Sequence, residues 1–303
     1  MEPRQPDTRD ERTYRELIRV CEEDLRRGHH PERARMDAEA LLLHLLKMTH
    51  PERNRAWLLA HMGDEPEPDM VRELSRLGTQ RRKGRPVQYI TGHAEFFGLM
   101  FAAIPEVLIP RPETDHWVED ALRLVKIRQD SSSGPIRIAD IGTGTGAIAV
   151  ALAHSLPDAR ITAMDISPKA LAIAHTNAKN NQVADRVEFL EGDLLAPLAG
   201  RTFSIVASNP PYIPLSDKPS LSVEVRDHEP HLALFAGYDG LLILRRLIPD
   251  ALTVLEPGGW LLMEIGYGQQ PAVEKLLEEA QYVGVHFIPD YQGIPRVACA
   301  QRP

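Results

Sequence analysis

The chain has 303 residues, of which 43% are hydrophobic and 26% charged, and a formal net charge of -8. That length suits one large or two medium domains, and that composition excludes a disordered or fibrous chain. The acidic balance argues against a broad nucleic-acid-binding surface, while two cysteines, Cys21 and Cys299, far apart and without Cys or His at ligand spacing, indicate neither a disulfide scaffold nor a zinc site.

The opening Met1 to Asp7 lacks an apolar segment, and no uninterrupted apolar run is long enough to cross a bilayer. A cytoplasmic chain with no membrane association is expected. From Thr13 to Lys83 the pattern is helical, clearest at Ala38 to Leu46 and at Met70, Val71, Leu74 and Leu77, which share one face. Pro31 and Met48 to Pro51 interrupt it, and Pro66 to Asp69 reads as a helix start. A helical domain over 1–85 follows, with no catalytic constellation.

The cluster Arg81-Arg82-Lys83-Gly84-Arg85 has two readings: cations at a helix C-terminus, or a contact with RNA or an acidic partner. Val87 to Ile90 and Phe96 to Phe101 are strand-like and flank Gly92, which predicts a β-hairpin linker over 86–110. Over 111–303 helices and strands alternate. Strands are expected at Ile136–Ile141, Arg160–Asp165, Arg186–Leu190, Phe203–Ser208, Gly259–Ile265, Val283–Ile288 and Arg296–Ala300. Helices fill the intervals at Glu113–Ile127, Ala147–Ser155, Pro168–Asn180, Leu241–Leu255 and Pro271–Ala280. Such alternation gives an α/β fold, a mostly parallel sheet covered by helices on both faces.

Four stretches carry chemistry. Asp140 to Gly146 reads Gly-x-Gly-x-Gly where a strand hands over to a helix, so Gly142, Thr143, Gly144, Thr145 and Gly146 suit either a nucleotide-like ligand or a tight structural turn. The spacing is neither that of a dinucleotide fingerprint nor that of a phosphate-binding P-loop. Asp165 ends the next strand, where an acid can accept from ribose hydroxyls. Asp193 can receive an adenine amino group with Leu194 against the ring, although Gly192-Asp193 is also an ordinary turn dipeptide. Asn209-Pro210-Pro211-Tyr212 closes a buried strand with an amide, donor-free prolines and an aromatic ring. The motif is either a strand-ending loop or a clamp on a planar –NH2, with Asn209 Oδ1 and the Pro210 carbonyl accepting its hydrogens and Tyr212 on its face. Arg226 to His231 contains His and Glu but not His-Glu-x-x-His, so no metal is expected.

Taken in this order, Asp140 to Gly146, Asp165, Asp193 and Asn209 to Tyr212 resemble a class I, Rossmann-like S-adenosylmethionine-dependent methyltransferase that acts on an amino or amide nitrogen. Arg81 to Gly92, Glu95 to Leu99, Leu108 to Thr114, Arg226 to Pro230, Gly237 to Leu241 and Gly293 to Val297 are similar to the HemK family of protein glutamine-N5 methyltransferases. Pro110-Arg111-Pro112-Glu113-Thr114 resembles the members that modify peptide chain release factors; those acting on a ribosomal protein carry a Pro-Arg-Ser-Pro version.

The resemblance implies S-adenosyl-L-methionine as cofactor, S-adenosyl-L-homocysteine as product and methylation of the glutamine in a release factor's Gly-Gly-Gln motif. It also implies a substrate-docking helical domain over 1–85, a catalytic domain over 111–303 and a Pro-Arg-Pro-Glu-Thr loop that closes over the cofactor. A monomer is expected, and the acidic balance and helical N-terminal domain predict no direct nucleic-acid contact. Asn209, Pro210, Pro211 and Tyr212 are then the substrate clamp, and Gly142 to Gly146, Asp165, Asp193, Leu194 and Asn209 surround the cofactor. Glu106 stands where the family often has glycine, away from the expected site. The competing enzyme reading is an adenine-N6 or cytosine-N4 methyltransferase of nucleic acid, and the non-enzymatic one is an adaptor that binds a translation factor through its helical domain.

Overall fold

A computed structural model describes residues 13–111, 114–131 and 134–303. It divides into two compact units, Met1–Gly92 and His93–Pro303.

The first unit is helical. Helix α1 (Tyr14–Leu25) opens with a capping box, Thr13 accepting from the Glu16 amide while Glu16 reaches back to the Thr13 N–H. It is followed by α2 (Ala34–Thr49), α3 (Arg55–Ala60), α4 (Pro68–Arg82) and α5 (Val87–Thr91). Leu17, Ile18, Leu41, Leu42, Leu46, Leu74 and Leu77 form its core, the helical spacing of each apolar stripe turning these side chains inward. Arg81 belongs to that interior: its Nε donates to Asp37 Oδ2 at 2.5 Å, and both residues are buried. One member of the basic cluster is thus a structural cation. Val87–Thr91, expected as a strand, is a short helix because Pro86 leads into it and Gly92, at φ +79°, ends it with its N–H on the Gln88 carbonyl.

The second unit begins with a hairpin of β1 (His93–Phe96) and β2 (Leu99–Ala102), antiparallel with Phe96 opposite Leu99. The expected single strand Phe96–Phe101 is therefore folded at Phe97 and Gly98. Both have positive φ, +50° and +70°, as the two-residue hairpin turn that matches strand twist demands.

Beyond α6 (Asp115–Ser131), β3 (Arg137–Ile141), α7 (Ala147–Ser155), β4 (Arg160–Asp165), α8 (Pro168–Asn180), β5 (Val187–Glu191) and β6 (Phe203–Ser208) alternate. A short α9 (Val223–His228), then α10 (Leu244–Val254), β7 (Leu255–Glu264), α11 (Gln270–Glu279), β8 (Val283–Pro289) and β9 (Pro295–Gln301) complete the unit. The sheet order is β5-β4-β3-β6-β7-β9-β8. Strands β5, β4, β3, β6 and β7 pair in parallel, and β9 runs antiparallel between β7 and β8. This is the Rossmann-like methyltransferase sheet, and every residue of β6 is buried, as a central parallel strand covered on both faces must be. The chain order reverses at β3, whose neighbours are β4 and β6. The crevice beyond the carboxyl ends at such a switch point is where open α/β sheets bind ligands.

Candidate active site

A cavity of about 360 Å³ lies there, lined by the segments that leave β3, β4, β5 and β6: Ile141 to Thr145, Asp165 to Ser167, Gly192 to Leu194, and Asn209 with Pro211. Four sequence-remote stretches meet because the parallel register sets the carboxyl ends of their strands side by side.

The glycine loop is held from beneath. Asp140, fully buried at the end region of β3, accepts from the Thr143 hydroxyl at 2.6 Å and the Ala149 amide at 3.1 Å. Burial pushes its carboxyl up to about 7, against the lowering effect of those two hydrogen bonds. The Thr145 carbonyl accepts from Nδ2 of the buried Asn177, whose Oδ1 accepts from the Ala102 amide and so ties the loop to the hairpin. Gly142 and Gly144 line the cavity with positive φ. Gly146 does not line it; a Cβ there would come within 3.0 Å of the Ala174 Cβ, so this glycine is required for α7 to approach α8.

Asp165 lines the cavity and accepts the Gly144 amide on Oδ2 and the Ser167 amide on Oδ1, each at 2.9 Å. Burial raises its pKa, and the two amides offset part of that shift. Each oxygen keeps a second lone pair, the acceptor set that the two hydroxyls of a vicinal diol require. Asp193 and Leu194 also line the cavity. Asp193 is an exposed carboxylate whose Oδ2 accepts from Arg246 at 2.6 Å, and Leu194 sits at φ +49°. Glu106, expected away from the site, lines the cavity as well and lies 3.4 Å from Lys169 Nζ. Its loop, which runs on to Arg111, forms one wall of the cavity rather than a remote connection.

Asn209 and Pro211 face the cavity, whereas Pro210 and Tyr212 are not among its lining residues. For Tyr212 the reason is Glu264, the last residue of β7, which is buried behind the motif. Its Oε2 accepts from Asn209 Nδ2 at 2.7 Å and from Thr114 Oγ1 at 3.0 Å, and its Oε1 accepts from the Tyr212 hydroxyl at 2.9 Å. Beside that charge, and buried, the Tyr212 phenol is held well above its ordinary pKa. Gln269 fixes the motif's backbone, its Nε2 donating to the Tyr212 carbonyl and its Oε1 accepting the Gly266 amide. Sequence reasoning missed Glu264; the signal was an acid closing the apolar run Leu261-Leu262-Met263 at a strand's carboxyl end.

Glu229, from the stretch with a superficial metal-site look, instead accepts from Arg111 Nη2 at 2.5 Å. Pro112 and Glu113 of the Pro-Arg-Pro-Glu-Thr loop lie outside the described residues.

Residues 16–92 match the family model of the PrmC N-terminal domain, and residues 124–222 that of the methyltransferase small domain. The release factor glutamine methyltransferase of Koribacter versatilis is 39% identical over 272 residues, 89% of this chain and 91% of the relative. That of Moorella thermoacetica is 44% identical over 272 residues, covering 89% and 92%. Among solved structures, the human hMettl16 catalytic domain in complex with an RNA hairpin is 17% identical with a TM-score of 0.53, covering 85% of this chain and 90% of that one; the likeness is one of fold.

Proposed function

The chain belongs to the release factor glutamine methyltransferase family, and from that premise we propose that it transfers a methyl group from S-adenosylmethionine to the side-chain amide nitrogen (N5) of the glutamine in a release factor's Gly-Gly-Gln motif. The observation that carries this reading is the juxtaposition of Asp165, the Gly142–Thr145 loop and Asn209 around one cavity. Asp165 and the glycine loop suit the ribose and polar parts of the cofactor, Leu194 its base, and Asn209 the acceptor. Asp193 reaches the adenine amino group only if it shares its carboxylate with Arg246.

Bound there, S-adenosylmethionine would supply a sulfonium-activated methyl whose departure leaves a neutral thioether. The residues of this chain have a different task, because an amide nitrogen is a poor nucleophile while its lone pair is delocalised into the carbonyl. Asn209 Oδ1 and the Pro210 carbonyl accept the two N–H groups of the glutamine and hold its nitrogen so that the lone pair faces the methyl. Such bonds strengthen as the nitrogen becomes tetrahedral and more acidic, which places the stabilisation in the transition state. The nitrogen gives up one proton as it gains the methyl. Tyr212 supports this clamp from behind through Glu264.

The helical region over 1–85 serves as the docking domain for the release factor, the 86–110 segment as its link, and 111–303 as the catalytic domain. The protein acts as a monomer in the cytoplasm, without a metal and without direct nucleic-acid contact. The test is incubation with labelled S-adenosylmethionine and release factor, ribosomal protein, DNA or RNA, the methyl being located by mass spectrometry. Label on the Gly-Gly-Gln glutamine is expected, together with a larger loss of turnover than of cofactor affinity for Asn209→Ala. Label on nucleic acid or ribosomal protein alone, or no label anywhere, would reject the proposal.

A further inference from the structure

An asparagine side chain is nearly symmetric in shape but opposite in hydrogen bonding at its two ends, so a clamp built on it works only if something decides which end faces the ligand. At the end of β6 that decision is made by the neighbouring strand. Ser208 pairs with Met263 in the parallel register, so the next residue of each strand, Asn209 and Glu264, stand side by side at the carboxyl edge. Glu264 meets three hydrogen-bond donors: Asn209 Nδ2, Thr114 Oγ1 and the Tyr212 hydroxyl. A carboxylate has no hydrogen to give, so the end of the Asn209 amide turned towards it is the –NH2, and Oδ1 is left for the cavity that Asn209 lines.

We propose that Glu264 is a positioning residue that sets the orientation of the Asn209 amide and thereby restricts the acceptor to a group that donates hydrogen bonds, a planar –NH2, at the expense of carbonyl-like acceptors. The inference rests on the amide-methylation reading above. It accounts for a buried acid that meets the cavity wall at Asn209 and Thr114. It also explains why the motif is anchored twice, at the Tyr212 hydroxyl by Glu264 and at the Tyr212 carbonyl by Gln269: rotation of the motif about its prolines would carry Asn209 away from the carboxylate.

A polarity swap tests it. Methyl transfer by the full-length wild type, Glu264→Gln, Asn209→Asp and the double variant is measured, with cofactor binding by each followed calorimetrically. A glutamine at 264 can keep the Tyr212 bond on its oxygen and present its –NH2 to Asn209, turning that amide over. For Glu264→Gln, kcat is expected to fall about 10- to 100-fold while the Kd for S-adenosylmethionine stays within about twofold. Asn209→Asp sets two carboxylates against each other and is expected to lose at least as much. In the double variant the glutamine –NH2 donates to one oxygen of the new carboxylate and the other oxygen again accepts from the substrate, so kcat recovers about tenfold or more over Asn209→Asp. A merely structural role would make the two losses accumulate. Wild-type kcat for Glu264→Gln, or a cofactor-binding double variant no faster than Asn209→Asp, would overturn the proposal. The same assay identifies the wild-type acceptor: an –NH2 other than glutamine would overturn the function reading, while the ratios among variants would still judge Glu264.

Discussion

Arg111 Nη2 lies 2.5 Å from Glu229 Oε2, tying the Arg111 wall of the cavity to the residue just before the lining Pro230, across 118 residues of sequence. The Glu229 side chain is fully buried, while that of Arg111 keeps a third of its surface in water. The asymmetry has consequences. Burial pushes the Glu229 carboxyl up and Arg111 is the main influence that holds it down. Removing the cation strands a buried charge, whereas neutralising the acid leaves a cation that water can solvate.

Arg111→Ala is therefore expected to destabilise the protein by about 1–3 kcal/mol at pH 8, and Glu229→Gln by less. The Arg111→Ala deficit shrinks towards pH 5, because the stranded carboxyl, its pKa raised further, takes up a proton and no longer carries a buried charge. Urea denaturation of both variants across that range provides the measurement; a larger loss for Glu229→Gln would contradict it.

Asp140 makes the fold itself pH-dependent. Its native pKa is about 7 against an ordinary 3.8. Between those values the native state holds a proton that the unfolded chain has released, so stability falls as pH rises through the window and levels off above about 7. The span corresponds to at most about 4 kcal/mol. Asp140→Asn can keep both hydrogen bonds of the present Oδ2 on its single oxygen and does not titrate, so its unfolding free energy should vary less between pH 5 and 8 than that of the wild type. Parallel profiles would exclude Asp140 as the source.

Gly240 sits at φ +75° against the back of the motif, where an added Cβ would overlap the Tyr212 carbonyl oxygen and lie 2.7 Å from Gln269 Nε2. Gly240→Ala should displace the Asn209–Tyr212 backbone and lower kcat by about tenfold or more, with a smaller change in cofactor affinity. Single-turnover rates alongside calorimetric binding would separate the two; a loss confined to binding would contradict the placement.

In the helical unit, Arg81→Ala leaves the buried Asp37 carboxylate without its hydrogen-bonded cation, with Arg33 Nε remaining at 3.8 Å, and is expected to cost about 3 kcal/mol. Lys83→Ala, two residues away and exposed, should fall within about 0.5 kcal/mol. Thermal unfolding of the two variants distinguishes an interior cation from a solvated one.

Much of this organisation was legible in one dimension. Apolar runs alternating with helical stripes specify a parallel sheet, and the glycine loop, Asp165, Gly192 to Leu194 and Asn209 each end or follow a strand, so the sheet's parallel register is enough to gather them at one edge. Local patterns also misled where two structures share them. Val87 to Ile90 is too short and apolar for periodicity to separate strand from helix, and the helix is decided by its ends at Pro86 and Gly92. Phe97 reads as strand until the hairpin requires a left-handed residue there.

The sequence by itself determined the fold class and brought out Gly142 to Thr145, Asp165, Asp193, Leu194, Asn209 and Pro211, which line the cavity, because those depend on spacing within a strand or helix. The tertiary structure alone decided what stands behind them. Glu264 reaches Asn209, and Glu229 reaches Arg111, through strand register and loop packing between segments 55 and 118 residues apart. No local periodicity encodes such a pairing. It arises when β7 docks beside β6, and that docking turns an ordinary strand-ending asparagine into an oriented hydrogen-bond acceptor.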